Sequence, residues 1–194
     1  MQDHEKYMKE ALREATYAAA EDEVPIGAII VCRGKIIGKG HNMTEKLNDP
    51  TAHAEMIAIT AATEAMGGKY LNDCTLYVTV EPCPMCAGAI VNARIPRVVY
   101  GASDAKCGAA GGVCCLFDMA FNHHPVVESG IREEEAAALM TEFFQKLRLE
   151  LLAGAGNLQR KVVEPMFHRP GLALTGFFEH FAWNRLQLIG NAEN

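Results

Sequence analysis

Two short stretches of this chain, His53-Ala54-Glu55 and Pro82-Cys83-Pro84-Met85-Cys86, combine residue types that can build a metal site. One histidine nitrogen and two cysteine sulfurs form a ligand set that suits zinc. Three protein ligands leave the fourth tetrahedral position open, which is where catalytic zinc holds its water. Zinc lowers the pKa of that water from about 15.7 to about 7, so hydroxide is available at neutral pH. We therefore predict hydrolytic chemistry with one zinc ion held by His53, Cys83 and Cys86.

Glu55 follows the histidine by two positions and supplies a carboxylate that need not bind the metal. Such a group can take a proton from the water and deliver it to the substrate, and this help is typically worth about 10²–10⁴-fold in rate. Positions two apart lie about 200° apart around a helix. His53 and Glu55 can therefore flank one metal only if they lie in the first turn of a helix.

Helix signals beside both stretches meet this requirement. Thr51, which follows a proline, is predicted to cap a helix over residues 52–66. Cys83 and Cys86 are three positions apart, so they share a face at the start of a second helix, predicted over residues 84–93. The partial positive charge of a helix N-terminus favours thiolate over thiol. We expect two helix starts to face one metal ion.

A structural zinc site is the alternative interpretation of these residues. It needs a fourth protein ligand, for which Cys74 and Cys107 are candidates. Neither cysteine has the close spacing that such sites use. A chance co-occurrence without any metal is disfavoured because both stretches lie at predicted helix starts after strand-like runs.

The rest of the chain alternates between strand-like and helical patterns. Apolar runs bounded by turn residues predict strands over residues 26–32, 35–40, 75–80, 97–101 and 126–128. An amphipathic helix carrying Met8 and Leu12 on one face precedes them, and a long helix over residues 131–150 follows them. A hairpin followed by alternating helices and strands implies an α/β fold with a mixed five-stranded sheet and helices on both faces.

Composition sets the size and the setting of this fold. The chain has 194 residues, 49% of them hydrophobic, so we expect a catalytic domain over residues 1–150 and an incomplete or appended segment over residues 151–194. It contains no run of 18 or more apolar residues, so no membrane span is expected. Seven cysteines and the lack of a targeting segment favour a reducing cytoplasm. Five cysteines outside the metal motif are predicted to be small buried residues: Cys32, Cys74, Cys107, Cys114 and Cys115.

The order H-x-E followed by P-C-x-x-C is typical of zinc-dependent nucleobase deaminases. Residues from about 4 to 147 resemble the bacterial tRNA-specific adenosine deaminases, which have the cytidine deaminase-like three-layer fold. The matching stretches are Val24-Pro25-Ile26-Gly27-Ala28, Gly40-His41-Asn42, Asp49-Pro50-Thr51-Ala52-His53-Ala54-Glu55, Leu76-Tyr77-Val78-Thr79-Val80-Glu81-Pro82-Cys83-Pro84-Met85-Cys86-Ala87-Gly88-Ala89, Arg94-Ile95-Pro96-Arg97-Val98-Val99-Tyr100-Gly101 and Asp104-Ala105-Lys106-Cys107-Gly108-Ala109-Ala110-Gly111.

This resemblance implies hydrolytic deamination of adenosine to inosine at the wobble position of tRNA, in a homodimer. Carried over by position, His53, Cys83 and Cys86 would bind zinc, and Glu55 would move the proton. An anticodon loop is single-stranded, so its adenosine can be splayed into a pocket for a few kcal/mol of lost stacking.

The resemblance also implies substrate contacts. Asn42 would hold the flipped base and its ribose, and Asp104 and Lys106 would meet the anticodon loop. Ile26 could form an apolar wall of the pocket. The alternative interpretation of Asn42 is a turn residue, and that of Asp104 is an ordinary surface loop residue.

The formal net charge of −6 gives tRNA no general attraction, because affinity for nucleic acid depends on phosphate contacts from Lys and Arg. A local basic patch could suffice, with Phe143 and Phe144 available for stacking or for core packing. The candidate cations, which could equally be ordinary solvated charges, are Arg94, Arg97, Lys106, Lys146 and Arg148.

Residues from about 146 to 193 resemble a different family, the N-terminal domain of HPr kinase/phosphorylase. The matching stretches are His168-Arg169-Pro170-Gly171-Leu172-Ala173-Leu174-Thr175-Gly176-Phe177-Phe178-Glu179-His180-Phe181 and Arg185-Leu186-Gln187-Leu188-Ile189-Gly190. The chain contains no G-x-x-x-x-G-K-[ST] phosphate loop, so kinase activity is not expected.

Two other functions are compatible with the sequence. A deaminase of a free base or nucleoside, of guanine or cytidine type, would share the metal motifs without needing the loop over residues 104–111. A catalytically dead deaminase relic could instead act as a binding protein through residues 151–194.

Overall fold

A computed structural model of the chain describes residues 4–154 and, for side chains, residues 4–150. The helices are α1 His4–Ala20, α2 Thr44–Leu47, α3 Ala54–Met66, α4 Pro84–Asn92 and α5 Glu133–Gly154. The strands are β1 Gly27–Cys32, β2 Lys35–His41, β3 Cys74–Val80, β4 Arg97–Ala102 and β5 Val126–Glu128. A 3-10 turn lies at Leu116–Asp118.

The five strands form one sheet in the order β2-β1-β3-β4-β5. The tight turn after Cys32 joins β1 to β2 as an antiparallel hairpin, and β1 is also antiparallel to β3. From β3 to β5 the strands run parallel, so β3 and β4 end at the same edge of the sheet. This arrangement confirms the predicted mixed five-stranded sheet.

Side chains of successive strand residues point to opposite faces of the sheet, and each face carries its own core. On one face, Ala28 and Ile30 of β1 pack with α3 and α4. On the other face, Ile29 and Val31 pack with α1 and with the start of α5. Because β1 is buried on both faces, its sequence is a continuous apolar run. Helices therefore cover both faces, as the alternation of elements predicted.

The helix α3 lies unusually close to β2. A Cβ atom at Gly40 would come within 2.5 Å of the Ala54 carbonyl oxygen, and one at Gly38 within 2.4 Å of the Ala58 carbonyl oxygen. Two glycines thus let the backbones of strand and helix approach directly. The contact sets the height of the first turn of α3 above the sheet.

The observed element ends differ from the predicted ones at two helix starts. Thr51 does not cap α3: the helix begins at Ala54, with His53 as the preceding cap residue. The Thr51 hydroxyl and backbone N–H instead donate to Oδ1 of Asp49, at 2.7 and 2.8 Å. The last helix begins at Glu133 rather than at residue 131, with three glutamates in its first turn, where the helix dipole stabilises negative charge.

The cysteine prediction was partly wrong. Cys32 and Cys74 are buried and lie opposite each other on β1 and β3, but Cys107 and Cys114 are exposed. Both exposed cysteines lie in the loop between β4 and the 3-10 turn, where the backbone turns leave their side chains on the surface. None of the seven cysteines, all of which lie among the described residues, forms a disulfide.

The chain divides into two units, residues 1–140 and 141–194. The second unit includes the later turns of α5, where the rings of Phe143 and Phe144 meet edge to face at 5.4 Å. The predicted extension over residues 151–194, with its phenylalanines and Trp183, lies outside the residues whose side chains are described. In the part of the chain that the structure describes, no helix is long and apolar enough to cross a membrane.

Candidate active site

Two helix starts bring the predicted metal ligands together. His53 immediately precedes α3 and Cys83 immediately precedes α4, both with extended backbone. Glu55 lies in the first turn of α3, and Cys86 lies in the first turn of α4. His53 and Glu55 thus lie at the first turn of one helix, as the flanking of a single metal ion requires.

Distances between the ligand atoms fit a tetrahedral zinc ion. Nδ1 of His53 lies 3.6 Å from Sγ of Cys83 and 3.6 Å from Sγ of Cys86. Bonds of about 2.05 Å to nitrogen and about 2.3 Å to sulfur, set at the tetrahedral angle, would separate those atoms by about 3.6 Å. Among the described side chains, these three residues are the one group of His, Cys, Asp or Glu able to hold a metal ion. Neither Cys74 nor Cys107 joins them, so a four-ligand structural site is not formed.

The two thiols differ in acidity because they face each other. A hydrogen bond from the Cys86 thiol lowers the pKa of Cys83 to about 4. The same contact, together with burial, raises the pKa of Cys86. Cys83 is therefore a thiolate at neutral pH, and a thiolate is the form that binds zinc.

Glu55 is enclosed beside the ligands, with a relative exposure of 4%. Burial raises the pKa of its carboxyl group to about 7, because the charged form loses its hydration. A group with a pKa near the working pH can both accept and release a proton, which is what a proton shuttle requires.

Asn42 and Ile26 lie next to each other at the ends of the hairpin strands. The backbone N–H of Asn42 donates to the carbonyl oxygen of Ile26 at 3.0 Å. Asn42 is buried, whereas Ile26 is half-buried and packs against the core on the α3 and α4 face. The two predicted substrate contacts are thus neighbours, although their roles stay predictions.

The loop after β4 holds Asp104 and Lys106. Oδ1 of Asp104 accepts the backbone N–H of Lys106 at 2.9 Å and that of Cys107 at 3.2 Å, so this carboxylate stabilises its own loop. Nζ of Lys106 is buried and has no hydrogen-bond partner among the described residues. Their predicted contacts with RNA remain predictions.

A second buried acid, Glu81, organises the same loop. Its Oε1 accepts the backbone N–H groups of Ala110 and Gly112, each at 2.8 Å, and its Oε2 accepts that of Asp104 at 2.9 Å. Glu81 directly follows β3 and stands two residues before Cys83, so the loop is tied to the segment that carries the metal ligands. Sequence reasoning gave Glu81 no role, although an acid at the end of an apolar strand is a signal for a buried anchor.

Three of the cations predicted to form a basic patch for RNA already contact neighbouring side chains. Arg97 forms an ion pair with Glu128, and Nζ of Lys146 lies 3.8 Å from Oε1 of Glu150. The Arg94 guanidinium lies over the ring of Tyr70, 5.3 Å from its centroid. These cations are therefore engaged by neighbouring residues, as in the alternative interpretation of ordinary surface charges.

A mixed sheet with a His-Cys-Cys ligand set and a buried glutamate at two helix starts defines a protein of the deaminase class. The sequence pattern of the MafB19-like deaminases matches residues 2–148, and that of the HPr serine kinase N terminus matches residues 139–194. The chain belongs to the family of the tRNA-specific adenosine deaminases. It is 46% identical over 159 residues to the tRNA-specific adenosine deaminase of Bacillus subtilis, covering 81% of this chain and 99% of that protein.

Solved structures agree with this assignment. One from a study of A-to-I editing by tRNA:A34 deaminases at the wobble position of transfer RNA is 48% identical, with a TM-score of 0.66, and covers 69% of this chain and 98% of its own. The guanine deaminase of Bacillus subtilis is 46% identical with a TM-score of 0.51, covering 53% of this chain and 66% of its own. Both predicted resemblances, to the deaminase family and to the HPr kinase N terminus, are confirmed.

Proposed function

We propose that this protein converts adenosine to inosine by hydrolysis at the wobble position of tRNA. The observation that carries the proposal is the convergence of His53, Cys83, Cys86 and Glu55 at two helix starts, in a chain of this family. The tRNA substrate is supported by what the similar proteins are named for.

The donor set and its spacing fit one zinc ion per chain, held by His53, Cys83 and Cys86. When bound, zinc supplies a water molecule acidic enough to act as a nucleophile at neutral pH. In the proposed hydrolysis, Glu55 accepts one proton of the attacking water and delivers it to the ring nitrogen of adenine, and the second proton of that water passes to the exocyclic amine. The water oxygen forms the new bond to the ring carbon, and the bond from that carbon to the amine breaks as ammonia leaves. The burial of Glu55 keeps bulk water from competing for this proton.

The substrate is proposed to enter beside the hairpin. Asn42 would hold the base and ribose, and Ile26 would form an apolar wall beside it. Asp104 and Lys106 lie on the loop anchored by Glu81, where they could meet the anticodon loop. The buried ammonium of Lys106 is suited to a phosphate, since ammonium groups bind phosphate as point charges.

A homodimer and a cytoplasmic setting complete the proposal. The family resemblance implies the dimer. Exposed apolar side chains at Val113, Met119 and Phe121, in one loop region, offer a surface that a second copy could cover. The lack of disulfides among the seven cysteines suits a reducing compartment.

The test is to incubate the purified protein with an arginine tRNA bearing an ACG anticodon and to measure inosine at the wobble position. We expect inosine from the unaltered protein and at least a 10²-fold slower reaction from Glu55→Ala, because the proton shuttle is lost. Retained activity in Glu55→Ala would contradict the assigned role.

If no inosine forms although zinc is bound, guanine, cytidine and other free bases or nucleosides should be tried next. A truncation after Arg148 then separates a wrong substrate from interference by the C-terminal segment. Inosine formed only by the truncated protein would assign the inhibition to residues 149–194.

A further inference from the structure

Glu23 is a fully buried carboxylate that the proposed reaction does not use. It lies just before β1, with a relative exposure of 0%. Its Oε1 accepts the backbone N–H of Lys46 at 2.7 Å. Its Oε2 accepts Nδ2 of Asn42 at 3.0 Å and the hydroxyl of Thr44 at 3.3 Å. A buried acid surrounded by donors holds those donors in one arrangement, since leaving any of them unpaired is costly.

The amide of Asn42 is the group most constrained by this arrangement. Its Nδ2 has two N–H donors; one is directed at Glu23, and the other at the Thr44 hydroxyl at 3.0 Å. The Thr44 hydroxyl accepts from Asn42 and donates to Glu23, which closes a cycle of three side chains. Among the described residues, Oδ1 of Asn42 has no partner. The amide therefore has one polar atom left for a ligand, and that atom is an acceptor.

We propose that Glu23 is a positioning residue that fixes the amide of Asn42 so that it presents only an acceptor to the substrate. The inference rests on the proposed function, in which Asn42 contacts the bound nucleoside. It adds that the group meeting Asn42 must be a hydrogen-bond donor, such as a ribose hydroxyl or an N–H of the base. A carbonyl or phosphate oxygen would be rejected there, because two acceptors would face each other without a proton.

The proposal is tested by exchanging the acid and the amide between positions 23 and 42. In Glu23→Gln, one of the two acceptor oxygens becomes an N–H₂ donor. If that donor faces Nδ2 of Asn42, Asn42 loses its partner or flips and presents a donor; if it faces Lys46, the backbone N–H there loses its acceptor. In Asn42→Asp, two carboxylates face each other. In the double variant, the new amide at position 23 would donate to one oxygen of the new carboxylate at position 42 and leave the other oxygen as the acceptor.

We expect each single variant to lower kcat/KM for tRNA by about 10- to 100-fold, the usual cost of a mismatched buried hydrogen bond. The double variant should recover activity at least about 5-fold above the weaker single variant. Such non-additivity is the sign of a direct interaction between two side chains. Zinc content should equal that of the unaltered protein in all three variants, since neither residue is a ligand.

Glu21→Gln is the matched control. Glu21 lies two residues away on the same turn, is exposed, and pairs with Nζ of Lys46 at 3.0 Å without contacting Asn42. It should keep normal activity. Activity of both Glu23→Gln and Asn42→Asp within about 2-fold of the unaltered protein would overturn the inference, as would a double variant no better than the single ones.

Two further outcomes are distinguishable. If the unaltered protein forms no inosine, the proposed function fails before Glu23 is tested. If Glu23→Gln does not fold, Asn42→Asp is compared with the double variant, and the absence of any gain then overturns the inference.

Discussion

At the scale of single residues, the chemistry of the site depends on how burial and neighbouring groups change the pKa of ordinary side chains. Glu55 has a pKa near neutrality because it is enclosed, and Cys83 has a low pKa because another thiol donates to it. Spacing in the sequence was enough to predict that His53 lies beside Glu55 and Cys83 beside Cys86, because each pair lies at the first turn of one helix. The roles of Glu23 and Glu81 could not be predicted in this way, since their partners are donors 19 to 31 positions away.

A ligand substitution tests the metal assignment at this scale. We expect Cys83→Ser to lower bound zinc to well below one ion per chain and to lower activity at least about 10²-fold, because a serine hydroxyl is a poor zinc ligand at neutral pH. Metal analysis and inosine formation measure the two effects. The exposed Cys114, replaced by serine, is the control and should keep both. A Cys83→Ser protein with full zinc and normal turnover would mean that the ligand set is wrong.

At the scale of elements, apolar runs predicted β1, β3 and β4 to within one residue at either end, because buried strands must be continuously hydrophobic. The four-residue helix α2 was not predicted, since Thr-Glu-Lys-Leu is too short to show a period. The predicted start of α3 was wrong because Thr51 hydrogen-bonds to the preceding Asp49 and does not cap the helix. The backbone contact between α3 and β2 could not be predicted from hydrophobic periodicity. It forms because Gly38 and Gly40 have no Cβ atom, and a glycine contributes nothing to an apolar pattern.

Gly40→Ala tests the importance of that contact. The added methyl group would meet the backbone of Ala54 and Ala58 at 2.5 and 2.7 Å, so α3 must shift at the turn that carries Glu55. We expect a loss of about 1–3 kcal/mol in the free energy of unfolding, typical of overpacking, and a lower kcat. Urea unfolding and inosine formation provide the measurements. Gly68→Ala, which would meet nothing within 4 Å, should change neither. Equal effects of both substitutions would argue against a special role for the contact.

At the scale of the whole molecule, charge does not favour nucleic acid in general. The net charge is −6, and several cations are already paired: Arg33 with Asp73 at 2.6 Å, and Arg132 with Glu135 at 2.7 Å. Exposed pairs of this kind add little stability. They do reduce the positive charge offered to phosphates, so recognition of tRNA would depend on shape and on a few local contacts.

The separation of the metal ligands along the chain has a consequence for folding. His53 and Cys83 are 30 positions apart, so an ion held by both would act as a reversible cross-link that closes a long loop. By the chain-entropy argument used for disulfides, closing such a loop disfavours the unfolded chain by about 3–4 kcal/mol.

At about 2–4 °C per kcal/mol, removal of the ion by a chelator should lower the melting temperature by about 10 °C. Thermal unfolding before and after chelation, with metal analysis on each sample, measures this shift; an unchanged melting temperature in metal-free protein would contradict it. Metal supply would then govern how long the protein survives as well as how fast it works.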